Sequence, residues 1–196
     1  MPLRFVLRGI TCTKTRKGDH VPETIRTATA NDAGKLAELA AITFPLACPP
    51  GSSPDDIQAH LEKTLSEANF SEYLADANIT VMVLDDDGQL TGYTMLIAKP
   101  ASDPDVASVL SAQPSTELSK CYVHPDHHGK GAAARLIQAS LALAADKGAS
   151  GVWLGVNSEN AKAIRFYEKS GFQRVGTKSF KLGNTVEHDF VMENRL

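Results

Sequence analysis

The residues with the clearest chemical potential lie in one glycine-rich segment in the second half of the chain. A predicted strand ends at Val123-His124-Pro125, and Gly129 and Gly131 come just before an alanine-rich helix. Because glycine has no Cβ, backbone N–H groups can converge in such a turn, and the helix start adds free N–H groups and partial positive charge. The pattern favours an anion site of diphosphate size, built from His128, Gly129, Lys130, Gly131, Ala132, Ala133 and Ala134.

Three other kinds of turn share part of this pattern. A dinucleotide site would use Gly129-x-Gly131-x-x-Ala134, but it should come early in a βαβ repeat, with an acid about 20 residues later. Here the segment comes late, and the next predicted strand ends at Asn157. A Walker loop requires Gly-Lys-Ser/Thr, whereas Lys130 is followed by Gly131. A plain strand–helix turn without a ligand stays open on this segment alone.

A second segment further along the chain changes this balance. It begins at Asn157 and ends with the run Phe166-Tyr167-Glu168-Lys169-Ser170-Gly171-Phe172. Taken with the glycine-rich segment, it resembles the GNAT superfamily of acetyl-CoA-dependent N-acetyltransferases over about residues 24–192. The phosphate loop of that family reads Gln/Arg-x-x-Gly-x-Gly/Ala, so His128 departs from the usual first residue.

The resemblance implies an α/β fold with a mixed, mostly antiparallel sheet that splays apart between strands 4 and 5 and is flanked by helices. The pantetheine arm of acetyl-CoA would enter that gap and pair with backbone groups of Cys121 and Val123, which flank Tyr122. Residues 128–134 would hold the pyrophosphate. The asparagines at the start of the next helix, Asn157 and Asn160, would contact the cofactor from there.

Two side chains are candidate proton carriers. Tyr167 matches the family's tyrosine that protonates the departing CoA thiolate, a task that suits a phenol within hydrogen-bond reach; a core aromatic residue is the alternative. Glu117 lies on the strand that ends at Val123, where several family members place a general base; a solvated carboxylate is the alternative. Period two predicts that Glu117, Ser119, Cys121 and Val123 share one face of that strand.

Two other sets of reactive side chains indicate ordinary roles. Three histidines crowd one tight turn without acidic or cysteine support elsewhere, so we expect no metal site there. The cysteines are odd in number and far apart, which excludes a disulfide framework and a zinc pattern and favours a reducing cytosol. Cys121 has no visible base and is not expected to act as a nucleophile. These residues are His124, His127 and His128, and Cys12, Cys48 and Cys121.

The elements that position these groups follow from apolar periodicity. The patterns occur in the order β, α, α, β, β, β, α, β, α, β, β. Residues 99–115 contain two prolines and are expected to form a loop. One helix is expected to begin at Ser53 and to present an apolar stripe made of Ile57, Leu61 and Leu65.

The composition limits the class of protein. A chain of 196 residues with 42% apolar side chains can bury one core, and we expect a single domain over residues 23–196. No run of apolar residues is long enough to span a membrane, and the net charge of −3 argues against a dedicated nucleic-acid binder. Residues 1–18 hold basic side chains and no acid, so residues 1–22 are expected to be a disordered or loosely attached arm, with an organelle transit peptide as the alternative.

The acceptor is the least constrained part of the function. Residues 53–78 hold six acids and one lysine, and the resemblance makes this segment one wall of the acceptor cleft, where negative charge would concentrate cations. We therefore expect a primary amine as acceptor, with a polyamine or another small cationic amine favoured; residues 171–183 are also loosely similar to bacterial polyamine N-acetyltransferases. Ordinary solvated helix faces are the alternative for these acids.

Two other functions stay open at this point. One is a protein or peptide Nα-acetyltransferase, which would need a neutral, peptide-shaped cleft. The other is a non-catalytic acyl-CoA-binding sensor on the same fold, although a sensor has no need of Tyr167. A homodimer is compatible with either function, and the sequence leaves the oligomeric state open.

Overall fold

Seven strands form one mixed sheet. A computed structural model describes residues 23–48, 51–182 and 185–196, so the basic arm expected over residues 1–22 lies outside the described residues. The strands are β1 (Thr24–Thr27), β2 (Ile79–Asp86), β3 (Gln89–Ile97), β4 (Ser115–Val123), β5 (Gly151–Asn157), β6 (Gln173–Leu182) and β7 (Thr185–Arg195). Their order in the sheet is β1-β2-β3-β4-β5-β7-β6. Only β4 and β5 pair in parallel; the other neighbours in this sheet are antiparallel.

Helices cover both faces of the sheet. They are α1 (Ala33–Thr43), α2 (Pro54–Thr64), α3 (Glu67–Ala75), α4 (Pro104–Val109), α5 (Ala132–Asp146) and α6 (Ala161–Lys169). On one face α1 to α3 pack against β1 to β4 around Leu36, Phe70 and Tyr93. On the other face α5 and α6 pack around Ile137 and Leu154. No helix in the described ranges is both long enough and apolar enough to cross a membrane.

The helix expected from Ser53 is confirmed as α2, and its apolar stripe of Ile57, Leu61 and Leu65 packs in the core, but a further helix that the patterns did not predict follows it. Helix α2 ends at Thr64, and α3 begins after Ser66, whose hydroxyl accepts a hydrogen bond from the backbone N–H of Asn69 at 3.3 Å. This bond satisfies one of the free N–H groups of the first turn, so Ser66 caps a new helix. The chain therefore turns between the two helices, and apolar residues of both pack in the core around Phe70.

The expectation of a loop over residues 99–115 is also incomplete, because α4 lies within it. Asp103 accepts a hydrogen bond from the N–H of Asp105 at 2.9 Å, and Pro104 occupies the first helical position. Val106 is fully buried against Trp153 and Val191. The segment therefore covers part of the core.

The parallel pair β4–β5 is short, as the resemblance implied. The ladder consists of Ser115 with Gly151, Thr116 with Val152, and Glu117 with Trp153. Beyond Glu117 the two strands separate, which confirms the expected splay. Buried backbone N–H and C=O groups require hydrogen-bond partners. The edges of β4 and β5 are therefore free to pair with an extended ligand.

A β-bulge in β4 changes which way its residues face. In the pairing of β3 with β4, Met95 lies opposite Lys120 and Leu96 lies opposite Leu118. Ser119 is thus an extra residue between two consecutive pairs. A bulge of this kind interrupts the strict alternation of side chains along a strand.

As a result, Glu117 and Cys121 lie on opposite faces of the sheet, and the expectation that they share one is wrong. Glu117 pairs with Ile97, which packs in the core under α1 to α3. Lys120 lies on the same side, over the ring of Tyr73 in α3. Cys121 instead packs in the core under α5 and α6.

The packing beneath β3 and β4 generates a stability prediction. The fully buried ring of Phe70 contacts Tyr93 edge-on at 5.7 Å, and Tyr93 contacts Tyr122 at 5.6 Å. We expect Phe70→Ala to lower the free energy of unfolding by about 3–5 kcal/mol, because it leaves a cavity under these strands. Ile42→Ala, at a side chain that is 47% exposed, should change it by about 0.5 kcal/mol or less. Denaturant unfolding measures both, and equal losses would contradict this packing.

Candidate active site

A cavity of about 870 Å³ reaches both faces of the sheet through the gap between β4 and β5. On the side of α5 and α6 its walls include Cys121, Val156 and Tyr167. On the side of α1 to α3 they include Glu117 and Lys120. The separation of β4 and β5 thus joins two groups of polar side chains that an unbroken sheet would keep apart.

The glycine-rich loop lies at one end of this cavity. Gly129 and Gly131 both have φ of +77°, the left-handed region in which a side chain is strained. A Cβ at either position would meet no atom within 4 Å, so the space above the loop is open. Of the predicted anion site, His128, Gly129, Gly131, Ala132, Ala133 and Ala134 line the cavity, whereas Lys130 is exposed and does not.

The three histidines around this loop have three different partners. His128 donates from Nε2 to the backbone carbonyl of Val123 at 2.8 Å, which ties the loop to the end of β4. The Nδ1 atom of His127 lies 3.3 Å from the carboxylate of Glu23. His124 accepts a hydrogen bond from the N–H of Asp126. No cluster of three or more metal-ligating side chains occurs within the residues that the structure describes.

Tyr167 packs its ring among aromatic side chains, whereas its hydroxyl has a polar partner. Its ring packs against Phe166 at 5.2 Å and Phe172 at 5.8 Å, as a core aromatic residue would. Its hydroxyl is hydrogen-bonded to the thiol of Cys121. Burial raises the pKa of Tyr167 well above its usual value and that of Cys121 to about 12, so both groups keep their protons at neutral pH. Tyr167 can therefore act as a proton donor, and Cys121 is not a thiolate.

Two charged side chains of β4 face the cavity on the other side of the sheet. Burial raises the pKa of Glu117, and the nearby cations Lys178 and Lys120 counteract part of that rise. Burial lowers the pKa of Lys120 to about 8, against the opposing effect of Glu117. A carboxyl group with a raised pKa can accept a proton near neutral pH, so Glu117 lies in an environment that suits a base.

The wall formed by β5, β6 and β7 adds one charge of each sign. Lys178 and Asp189 lie opposite each other in the pairing of β6 with β7, and both line the cavity. The Lys178 side chain crosses β5 at Gly155, where a Cβ would lie 2.4 Å from its Cε atom. Its Nζ atom is 5.6 Å from the centroid of the Trp153 ring. Glycine at position 155 is therefore what allows this lysine to lie across the strand.

The two predicted cofactor asparagines line the cavity at the start of α6. Asn160 caps that helix by accepting a hydrogen bond from the N–H of Ala163 at 3.0 Å. Asn157 accepts one from the N–H of Glu159 at 2.8 Å. Their side chains thus fix the turn between β5 and α6 beside the gap.

The acidic wall expected over residues 53–78 is absent from the cavity lining. His60, Thr64 and Leu65 are the residues of that segment at the cavity, while its six carboxylates lie elsewhere. The adjoining rim is mostly apolar, and the ring of Phe44 stacks on that of His60 at 4.4 Å. In the amphipathic helices of this segment the carboxylates lie on the faces directed away from the cavity. They belong to Asp55, Asp56, Glu62, Glu67, Glu72 and Asp76.

Sequence reasoning missed three charged residues of the site, Lys120, Lys178 and Asp189. Lys120 precedes Cys121 in a strand that was already predicted, and strict alternation would have placed it opposite Glu117. Lys178 and Asp189 lie on the last two strands, and only the register of the sheet brings them to the cavity. No local motif marks any of the three.

Solved structures that share this fold include two that were determined with a bound coenzyme. PaiA N-acetyltransferase from Thermoplasma acidophilum, solved in complex with coenzyme A, is 19% identical and covers 90% of this chain and all of its own, with a TM-score of 0.71. YncA, a putative acetyltransferase from Salmonella typhimurium solved with acetyl-CoA, is 23% identical and covers 90% of this chain and 95% of its own, with a TM-score of 0.60. At these identities the likeness establishes the architecture.

Sequence comparison establishes the family. An uncharacterized N-acetyltransferase from Mycobacterium tuberculosis (strain ATCC 25618 / H37Rv) is 47% identical over 165 residues, which cover 84% of this chain and 98% of that protein. The profile of the Acetyltransferase (GNAT) family matches residues 40–172, a range that contains the glycine-rich loop, both sides of the gap and Tyr167. This chain therefore belongs to the GNAT family of acetyltransferases, and the resemblance seen in its two motifs is confirmed.

Proposed function

We propose that this protein transfers an acetyl group from acetyl-CoA directly to a primary amine, with the two substrates meeting in the gap between β4 and β5. One observation carries the proposal. A single cavity joins a protonated phenol, Tyr167, on one side of the sheet to a carboxyl group with a raised pKa, Glu117, on the other. Direct transfer needs a proton donor for the leaving thiolate and a proton acceptor for the amine.

The donor side has features that suit acetyl-CoA. The free edge of β4 at Cys121, Tyr122 and Val123 would pair with the extended pantetheine arm, since β5 has already separated there. The open space above Gly129 and Gly131 would receive the pyrophosphate, next to the free N–H groups at the start of α5. His128 would hold this loop in place through the carbonyl of Val123. The turn fixed by Asn157 and Asn160 would flank the arm.

The chemistry then follows from the two proton carriers. Glu117 would take a proton from the acceptor ammonium, which frees the nitrogen lone pair to attack the thioester carbonyl. As the carbon–sulfur bond breaks, Tyr167 would give its proton to the departing thiolate. Burial keeps that proton on Tyr167 until then, because it raises the pKa of the hydroxyl. The products are the acetylated amine and CoA with its free thiol.

The acceptor in this proposal is a small primary amine, with no requirement for several positive charges. The polyamine expectation depended on an acidic wall, and those carboxylates lie outside the cavity lining. Thiol release from acetyl-CoA, screened against polyamines, amino acids, aminoglycosides and peptides, tests the proposal. We expect release with at least one small amine; acetyl-CoA binding without release for any of them would identify a sensor instead.

We also propose that residues 23–196 act as one catalytic domain in the cytoplasm. The two halves of the site come from β4, α5, β5 and α6 of the same sheet. Cys48 and Cys121 are free thiols, which suits a reducing compartment.

The loop generates a binding prediction with an internal control. Gly131→Asp should abolish acetyl-CoA binding in a folded protein, because it places a negative carboxylate where the pyrophosphate is proposed to lie. Gly148→Asp is the matched control, since Gly148 also has a positive φ of +86° with no atom within 4 Å of its Cβ position, but lies outside the cavity. Calorimetry measures both affinities, and equal affinities would refute the phosphate loop.

Tyr167 generates a prediction about turnover. Tyr167→Phe should lower kcat by about 10²-fold with little change in affinity for acetyl-CoA, because it removes the proton and keeps the ring. Tyr93→Phe is the control, since its buried hydroxyl has no hydrogen-bond partner in the described part of the chain and does not line the cavity. Steady-state kinetics decide the matter, and wild-type turnover in Tyr167→Phe would show that another group protonates the thiolate.

Glu117 generates a prediction about pH. A base works only when deprotonated, so kcat/KM should fall as pH falls through the pKa of Glu117, which burial raises above the ordinary 4.5. Glu117→Gln should lower kcat/KM by about 10²-fold and remove this acid limb, while the limb from the acceptor amine remains. A pH profile whose acid limb is identical in the variant would assign the proton transfer to another group.

A further inference from the structure

Lys120 is a largely buried cation that faces the acceptor side of the cavity. Among the residues that the structure describes, the ion pairs within 4.0 Å do not include it. Its Nζ atom lies over the ring of Tyr73, 5.6 Å from the ring centroid. Burying an ammonium group away from water without an anionic partner is costly, so such a group is suited to bind an anion that arrives with a ligand.

Among the described residues, the charged groups around Lys120 do not give it a counter-ion of its own. Glu117 is close enough for the two charges to affect each other, yet it also interacts with Lys178 and is shared between two cations. Burial lowers the pKa of the His60 ring in α2, and the positive charge of Lys120 lowers it further. The charged residue nearest in sequence, Glu117, is therefore not a dedicated counter-ion for Lys120.

The β-bulge places Glu117 and Lys120 side by side. The two residues are three apart in sequence and would point in opposite directions along a regular strand. Because Ser119 is an extra residue, both point to the face that carries α1 to α3, and both line the cavity. A carboxylate and an ammonium thus present opposite charges to one small volume.

We propose that Lys120 binds a carboxylate of the acceptor, so that the acceptor is a small amine that itself carries a carboxylate, as an α-amino acid does. This inference rests on the proposed function, in which Glu117 receives the amine. An α-amino acid bears an ammonium and a carboxylate on one carbon and so complements this pair. A polyamine would bring a second positive charge towards Lys120 and Lys178, and the N-terminal residue of a peptide has no free α-carboxylate.

The rim of the cavity indicates the kind of side chain that such an acceptor has. Leu46 is 63% exposed at the cavity, and Phe44, Ala47 and Cys48 line the same stretch. A rim of this composition favours an apolar side chain over a charged one, because it offers apolar surface to cover. Leucine and phenylalanine are therefore suitable probes.

The test compares acceptors that differ only in the carboxylate. Thiol release from acetyl-CoA is measured with leucine, leucinamide and isoamylamine, and with phenylalanine, phenylalaninamide and phenethylamine. We expect kcat/KM for the amino acids to exceed that for the amides at least tenfold. The amine of an amino acid is more basic than that of its amide and less basic than that of the corresponding simple amine, so a preference for the amino acid over both cannot arise from basicity.

Substitutions at Lys120 then assign the preference. Lys120→Met keeps an unbranched side chain of similar length and removes the charge that lies over Tyr73, so it should raise KM for the amino acids and abolish their advantage over the amides. Lys120→Arg should retain part of that advantage, because it keeps a cation at the same place. Lys63→Met is the control for loss of one positive charge, since Lys63 is exposed and does not line the cavity, and the advantage should persist there.

Each outcome decides between the two proposals. Amides or simple amines that react as well as the amino acids, or a preference that survives Lys120→Met, would overturn the carboxylate site while leaving acetyl transfer to amines intact. No release with any of the six acceptors would also overturn it. The wider amine panel would then show whether the proposed function fails as well: release with another amine would keep it, whereas acetyl-CoA binding without release from any amine would identify a sensor.

Discussion

The separation of β4 from β5 after Glu117 is the constraint on which the rest of the structure depends. The two central strands share three residue pairs and then diverge, so the middle of the sheet has free backbone edges, which folded proteins rarely leave without partners. The opening lets one cavity reach both faces of the sheet, and it brings Tyr167 and Glu117 to the same space although their strands and helices pack in different cores. An unbroken ladder would close the site.

The bulge at Ser119 is the second structural feature that determines the composition of the site. The divergence creates the space, while the bulge selects the side chains that enter it from β4. Cys121 remains under α5 and α6, where it contacts the hydroxyl of Tyr167, and Lys120 turns to the face of Glu117. One extra residue therefore gives β4 a neutral side at Cys121 and a charged side at Glu117 and Lys120. Both properties follow from backbone pairing.

The parts of the fold and site that the sequence predicted are those encoded locally. Gly129 and Gly131 adopt the left-handed conformations that such a turn requires, and the fold implied by the two motifs is confirmed. The start of α4 is encoded locally as well, by the cap Asp103 and by Pro104 in the first turn. The position of Lys120 was not readable, because a bulge depends on register with a partner strand. The acids of residues 53–78 illustrate the same limit, since net charge does not say which face of a helix meets the cavity.

The central claim is that acetyl-CoA occupies the free edge of β4 in the middle of the sheet. Hydrogen exchange with and without saturating acetyl-CoA, resolved to short peptides by mass spectrometry, tests it most directly. We expect slower exchange of the backbone amides in residues 118–123 and 128–134, because the pantetheine arm and the pyrophosphate would accept hydrogen bonds from them. Unchanged exchange in residues 118–123, in a sample that calorimetry shows to be saturated, would show that acetyl-CoA binds elsewhere.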